Sequence, residues 1–271
     1  MPTSNLVLRI LSAVVLAPLA LFAAWVGGWP FALFWGAAAI IVLWEWTTLV
    51  VGPSFRVMFL SSAAAIVVAD FVAWLGRPIV ALLMVGLGAI ATVIFAPSAK
   101  RVWVTAGVGY GGVMLLAPVC LRSDNAYGFA AIVMLFAIVW TTDVVGYFAG
   151  RTIGGPKLLP AVSPKKTWSG AIAGAFAAVL VAVVVATQFG LFNKLAIALL
   201  ALFLSIASQF GDLFESWVKR QFDAKDASQI IPGHGGVMDR LDGFWAAALA
   251  GCVVGLLRGG YAAPARGLLV W

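Results

Sequence analysis

The densest chemistry in the chain lies in "GDLFESWVKRQFDAKDASQIIPGHGGVMDRLDG", residues 211–243, which holds six of the ten acidic residues and the single histidine. In a helix, Asp212, Glu215, Ser216 and Lys219 fall at i, i+3, i+4 and i+7, along one face. Pro232 stops such a helix, while Gly233, Gly235 and Gly236 permit backbone shapes closed to other residues and let a backbone approach a ligand closely. Asp239 and Asp242, three apart, then open a further helix, where an N-terminus favours anions. Carboxylates interleaved with Lys and Arg suit a hard cation and phosphates together. Magnesium takes one or two carboxylates plus phosphate oxygens and water, and the bases neutralise the charge that remains. The bland alternative is that Asp239 and Asp242 are ordinary N-terminal helix acids, paired with Arg240 or Lys219.

A second constellation is "WTTDVVGYFAGRTIGGPKLLPAVSPKKTWSG", residues 140–170. Asp143 interrupts an apolar helix, with Tyr147 one turn later. A carboxylate at membrane depth is costly, so it normally faces a bundle interior or watery cavity and has a partner. The following loop carries Arg151, Lys157, Lys165 and Lys166 and no acid. Such a loop suits anionic lipid or nucleotide phosphates, although lysines flanking a span also snorkel and set topology. Glu45, in "WEW", is expected to cap or pair near the inner end of its helix, and Asp70 to sit at the outer interface.

The elements that must position these residues are membrane helices. Of 271 residues, 63% are hydrophobic and only 10% charged, against about 25% charged in soluble domains. The fold class is all-α, a polytopic integral membrane protein. Nine spans are predicted, about 10–27, 29–46, 57–75, 78–96, 102–121, 127–149, 168–188, 195–214 and 241–257, each near the required length of about 20 residues. A membrane β-barrel is excluded because the apolar runs do not alternate. No cleavable pattern marks the first span as a signal peptide, so it is expected to be retained.

Placing the N-terminus inside puts twelve of the 17 basic residues on the cytoplasmic side and five outside, as the positive-inside rule expects. The prediction is therefore N-in, C-out, with polar loops 150–167 and 215–240 both cytoplasmic. Residues 1–125 read as a scaffold of five spans, and 126–271 as the catalytic part. No internal repeat is visible, which weakens an inverted-repeat transporter. Gly107/Gly111, Gly146/Gly150 and Gly170/Gly174 read as helix-packing pairs. Cys120 and Cys252 read as buried structural thiols, too few with one histidine for a zinc site.

From Ser216 to Asp242 the segment "SWVKRQFDAKDASQIIPGHGGVMDRLD" resembles the signature of the phosphatidate cytidylyltransferases, or CDP-diacylglycerol synthases. That pattern is filled here by Ser216, Lys219, Arg220, Lys225, Asp226, Pro232, His234, Gly235, Gly236, Asp239, Arg240 and Asp242. The resemblance extends to "GDLFES" and to "SPKKTWSG" at 163–170. In "DVVGYFAGR" it weakens, because Val144 and Val145 replace small or hydroxyl residues.

The resemblance implies an enzyme that joins phosphatidic acid to CTP, giving CDP-diacylglycerol and pyrophosphate. It also implies a Mg²⁺ requirement, a second cation in a paired site and a homodimer. The location implied is the bacterial inner membrane, with the active site facing the cytoplasm; nucleic acid is not an expected partner. On this reading Asp212, Lys219, Arg220, Asp239 and Arg240 are catalytic, and Asp143, Asp212, Asp239 and Asp242 hold metal. Ser163, Lys165, Lys166, Ser216, Lys225, His234, Gly235 and Gly236 contact substrate or phosphate. Two other readings stay open on the residues alone: a CTP-dependent lipid kinase, and a cation-coupled transporter built on Asp70, Asp143 and Asp212.

Overall fold

A computed structural model describes residues 3–52, 56–231 and 235–271, with side chains described from residue 14 onward. Ten helices run α1 (Thr3–Val26), α2 (Gly28–Val51), α3 (Arg56–Trp74), α4 (Pro78–Phe95), α5 (Arg101–Arg122), α6 (Gly128–Thr152), α7 (Trp168–Gln188), α8 (Lys194–Gln221), α9 (Met238–Gly259) and α10 (Pro264–Leu269). Among the described residues, α2 to α9 are long and apolar enough to cross a membrane, and α1 adds the shorter apolar stretch Val14–Val26. The chain is thus an all-α polytopic membrane protein. Between α6 and α7 lies a two-stranded antiparallel hairpin, β1 (Lys157–Leu159) and β2 (Ser163–Thr167).

The chain divides into two compact units, residues 1–123 with 222–240, and residues 124–221 with 241–271. In the first unit α3 packs on α4, and α2 on α5. The α2–α5 contact is locked by Trp46, whose indole N–H donates to the Trp103 carbonyl at 2.7 Å. The same indole fills the space over Gly107, where a methyl group would collide with it. Gly111 passes close to the Ala39 carbonyl. At the far end of α5, Arg122 donates to the carbonyls of Ala24 and Trp25, satisfying groups that the end of α1 leaves without helical partners. Asp70 is half-buried and turned toward α2, where a glycine, Gly36, leaves it room.

The second unit shows how packing in lipid inverts the soluble rule. Along α7 the small residues Gly170, Gly174, Ala178, Ala182 and Ala186 are buried. The large ones, Ile172, Phe176, Leu180 and Val184, are exposed. Lipid tails solvate large apolar side chains, so helices gain by bringing backbones together over small ones. A methyl group on Gly174 would lie 2.6 Å from the Thr142 carbonyl of α6, which is why α6 and α7 approach at these glycines. Thr142 in turn shares a 2.8 Å hydrogen bond with Ser205 of α8. Helices α8 and α9 cross where Gly211 meets the Asp242 carbonyl and Gly243 meets Ser208.

Two sequence expectations change. The polar segment expected at 215–240 is shorter, because α8 continues to Gln221 and α9 begins at Met238. No helix breaker interrupts "ESWVKRQ", and the chain turns only at Asp223, which adopts a left-handed φ of 53°. Ser216, Lys219 and Arg220 are therefore helical. The polar loop expected at 150–167 begins with the last residues of α6 and contains the hairpin 157–167: Gly154 and Gly155, with φ of 68° and 101°, release the chain from α6. Neither cysteine forms a disulfide among the described residues; Cys252 is buried and Cys120 half-buried.

Candidate functional site

In the second unit the polar stripe of α8 forms as its spacing predicts. Glu215 is fully buried and pairs with Lys219, one turn on, at 2.6 Å. A buried carboxylate is tolerated in this way, with an opposite charge held against it. Asp212, one turn earlier, forms an ion pair with Lys166 of β2, each side chain roughly a quarter exposed. The Ser216 hydroxyl points at Asp212 at 3.4 Å.

The hairpin that delivers Lys166 is anchored on both sides. Trp168 N–H donates to the Pro156 carbonyl at 3.0 Å, and the Ser169 hydroxyl donates to the Gly154 carbonyl. Thr167 caps α7 by accepting from Gly170 N–H. "SPKKT" thus combines a strand, a cation aimed at α8 and a helix cap. Ser163 pairs with Leu159 across the hairpin, and Lys165 is exposed.

Asp242, on α9, accepts from the Gly243 N–H and lies within electrostatic reach of Asp212, Glu215 and Asp143. The unit therefore gathers four carboxylates. Asp143, on α6, is solvent-accessible and faces this group of acids. Hard cations take oxygen ligands, so the donor chemistry fits Mg²⁺. The set is not drawn into a closed cage: among the described residues no three His, Cys, Asp or Glu side chains converge as metal ligands.

In the first unit the segment 222–240 is built around two other carboxylates. Asp239 Oδ2 accepts from the N–H groups of Ala227 at 2.9 Å and Gly236 at 2.8 Å. Ile231 N–H donates to the Gly235 carbonyl at 2.8 Å. Gly235 holds a φ of 87°, and a Cβ there would also press on Asp239 Oδ2. Its glycine is thus required by backbone shape.

Glu45 of α2 is fully buried beneath the same segment. Its Oε1 accepts from the Ser228 hydroxyl at 2.5 Å and from Val237 N–H at 2.8 Å, and its Oε2 from Met238 N–H at 2.7 Å. The extent of this role is not visible in the sequence, which marks Glu45 only as an acid near a span end between two tryptophans. Ser228 carried no signal at all. Lys225, Arg220 and Arg240 are exposed, and His234 lies outside the described residues.

A profile of the cytidylyltransferase family matches residues 7–256. The phosphatidate cytidylyltransferase of Brucella abortus biovar 1 (strain 9-941) is 46% identical over 248 residues, covering 90% of this chain and 91% of the relative. The protein of the same name from Bacillus subtilis (strain 168) is 42% identical over 129 residues, 46% of each chain. That from Rickettsia bellii (strain RML369-C) is 39% identical over 142 residues, 49% of this chain and 62% of the relative. The class of reaction left open by the residues alone is decided by these matches together with the membrane fold: the chain is an integral membrane nucleotidyltransferase and belongs to the cytidylyltransferase family.

Proposed function

We propose that the protein is a phosphatidate cytidylyltransferase, converting CTP and phosphatidic acid to CDP-diacylglycerol and pyrophosphate at the cytoplasmic face of a bacterial inner membrane. The observation that carries the reading is the α8 stripe, in which Asp212 and Glu215 are held by Lys166 and Lys219. Such exchangeable charge pairs suit a reaction between two polyanions. The extensive likeness to the Brucella protein supports the choice of substrates.

In the proposed reaction a phosphate oxygen of phosphatidic acid attacks the α-phosphorus of CTP in line. The bond from that phosphorus to the oxygen bridging to the β-phosphate breaks, and pyrophosphate leaves. A phosphate monoester has a second pKa of about 6, so the nucleophile is already anionic and no strong base is required. The barrier is charge repulsion, and positioning plus electrostatics lower it.

The proposed phosphate contacts are the cations that the sequence resemblance implies. Lys165, Lys166, Lys219 and Arg220 serve in the second unit, and Lys225 and Arg240 on the segment 222–240. Asp212, Asp242 and Asp143 are the proposed Mg²⁺ ligands. Asp239 joins them as a candidate, three residues before Asp242 on α9. A Mg²⁺ ion held by these carboxylates would neutralise charge on the triphosphate; a second cation and a homodimer belong to the proposal on the strength of the sequence resemblance. Ser163, Ser216, His234 and Gly235 complete the proposed substrate contacts.

The test uses CTP labelled at the α- or γ-phosphate, with phosphatidic acid and Mg²⁺, on the purified protein in detergent. The expected result is α label in the lipid, γ label in pyrophosphate, and no transfer after chelation. Transfer of γ label to the lipid would make the protein a kinase instead.

A further inference from the structure

We propose that Glu45, remote in sequence from every signature residue, is the positioning residue that holds the segment 222–240 in its working shape for CTP. This rests on the function proposed above, in which that segment supplies Lys225 and Arg240 to the triphosphate. Three donors converge on one buried carboxylate: the Ser228 hydroxyl from one arm, and the Val237 and Met238 N–H groups from the other. The two arms are thereby tied to a single point on α2, whose neighbouring residue Trp46 is itself locked onto α5. The two N–H groups belong to the start of α9, where the first turn lacks helical acceptors. Glu45 thus caps α9 from another helix, while Asp239 ties Ala227 to Gly236 within the segment.

Gly236 gives an independent mark of the same role. A Cβ on this residue would lie 2.6 Å from Glu45 Oε1, closer than atoms without a bond approach. In the sequence, glycines at this place read as room for a substrate. The geometry assigns Gly236 instead to the close approach of Glu45.

The experiment compares Glu45→Gln and Glu45→Ala with the wild type, using the full chain in detergent. Glutamine with its carbonyl oxygen at the Oε1 position keeps the bonds from Ser228 and Val237 and loses only the one from Met238, so its effect should be the smaller. The expected result is a KM for CTP raised about threefold in Glu45→Gln and about tenfold in Glu45→Ala, the cost of a modest misplacement. KM for phosphatidic acid and kcat at saturating CTP should stay within about twofold. Hydrogen exchange should quicken in peptides covering 235–240 and not in α6 or α8. A parallel rise in both KM values, or unchanged exchange at 235–240, would overturn the proposal. If Glu45→Ala does not purify folded, Glu45→Gln carries the test alone.

The decisive arm adds Gly236→Ala in both backgrounds. It should raise KM for CTP about tenfold beside Glu45 and less than about twofold in Glu45→Ala, because contacting residues are not additive. An equal penalty in both backgrounds would assign Gly236 to substrate and contradict the clamp. A wild type that transfers no cytidylyl group would sink the function proposed above, while the exchange measurement would still decide the role of Glu45.

Discussion

The chain uses the same functional group in two opposite ways. On α8, Asp212 and Glu215 are matched with lysine ammonium groups. Around the segment 222–240, Glu45 of α2 and Asp239 accept from backbone N–H groups. An ammonium on a flexible stem can be exchanged for a metal ion or moved onto a phosphate. A backbone N–H cannot leave without unmaking the local fold. The first arrangement therefore suits chemistry and the second suits shape, although both read in the sequence as acids among bases and glycines.

That contrast sets the order of expected effects. Asp212→Asn should reduce transfer of α label to lipid by about 10³-fold, the scale of losing a principal electrostatic contact. Its melting temperature should stay near that of the wild type, and a fall in stability without loss of transfer would erase the contrast. Asp239→Ala should lose about 10²-fold in transfer, together with hydrogen-exchange protection at 235–240. Asp239→Asn keeps an acceptor for Ala227 and Gly236 and should keep that protection. Activity lost from Asp239→Asn with protection intact would give Asp239 a second role at the cation.

Lys166→Met leaves Asp212 without its ammonium. A partly exposed ion pair contributes about 1 kcal/mol at most, so the half-saturating Mg²⁺ concentration should fall by no more than about fivefold. A rise would show that Lys166 helps to load the cation rather than compete with it. Smallest in its effect on catalysis is Gly107→Ala, where the added methyl meets the Trp46 indole. It should cost about 1–3 kcal/mol of stability, as overpacking does, with activity per folded molecule unchanged. Gly107 and Gly236 both accommodate a neighbour's side chain, but only the second should affect CTP.

Much of the membrane fold was legible because its signal is local. Continuous apolar runs mark spans by length alone, and eight of the nine expected spans are long apolar helices among the described residues. The α8 stripe was equally legible, since a helical period fixes which acids share a face. Glu45 was not, because its partners lie more than 180 residues away. Nothing in "WEW" encodes which backbone amides will reach it. The hairpin at 157–167 was hidden by its brevity, three and five residues set between two long helices.

The contrast between the two carboxylate sets is tested most directly by a saturating-CTP comparison of Asp212→Asn and Glu45→Gln. Both would be assayed for α-label transfer to phosphatidic acid in the presence of Mg²⁺. If α8 performs chemistry and Glu45 maintains shape, raising CTP restores Glu45→Gln to within about twofold of wild type, and Asp212→Asn stays about 10³-fold down. Rescue of Asp212→Asn by CTP, or a Glu45→Gln enzyme that no concentration of CTP restores, would contradict that division.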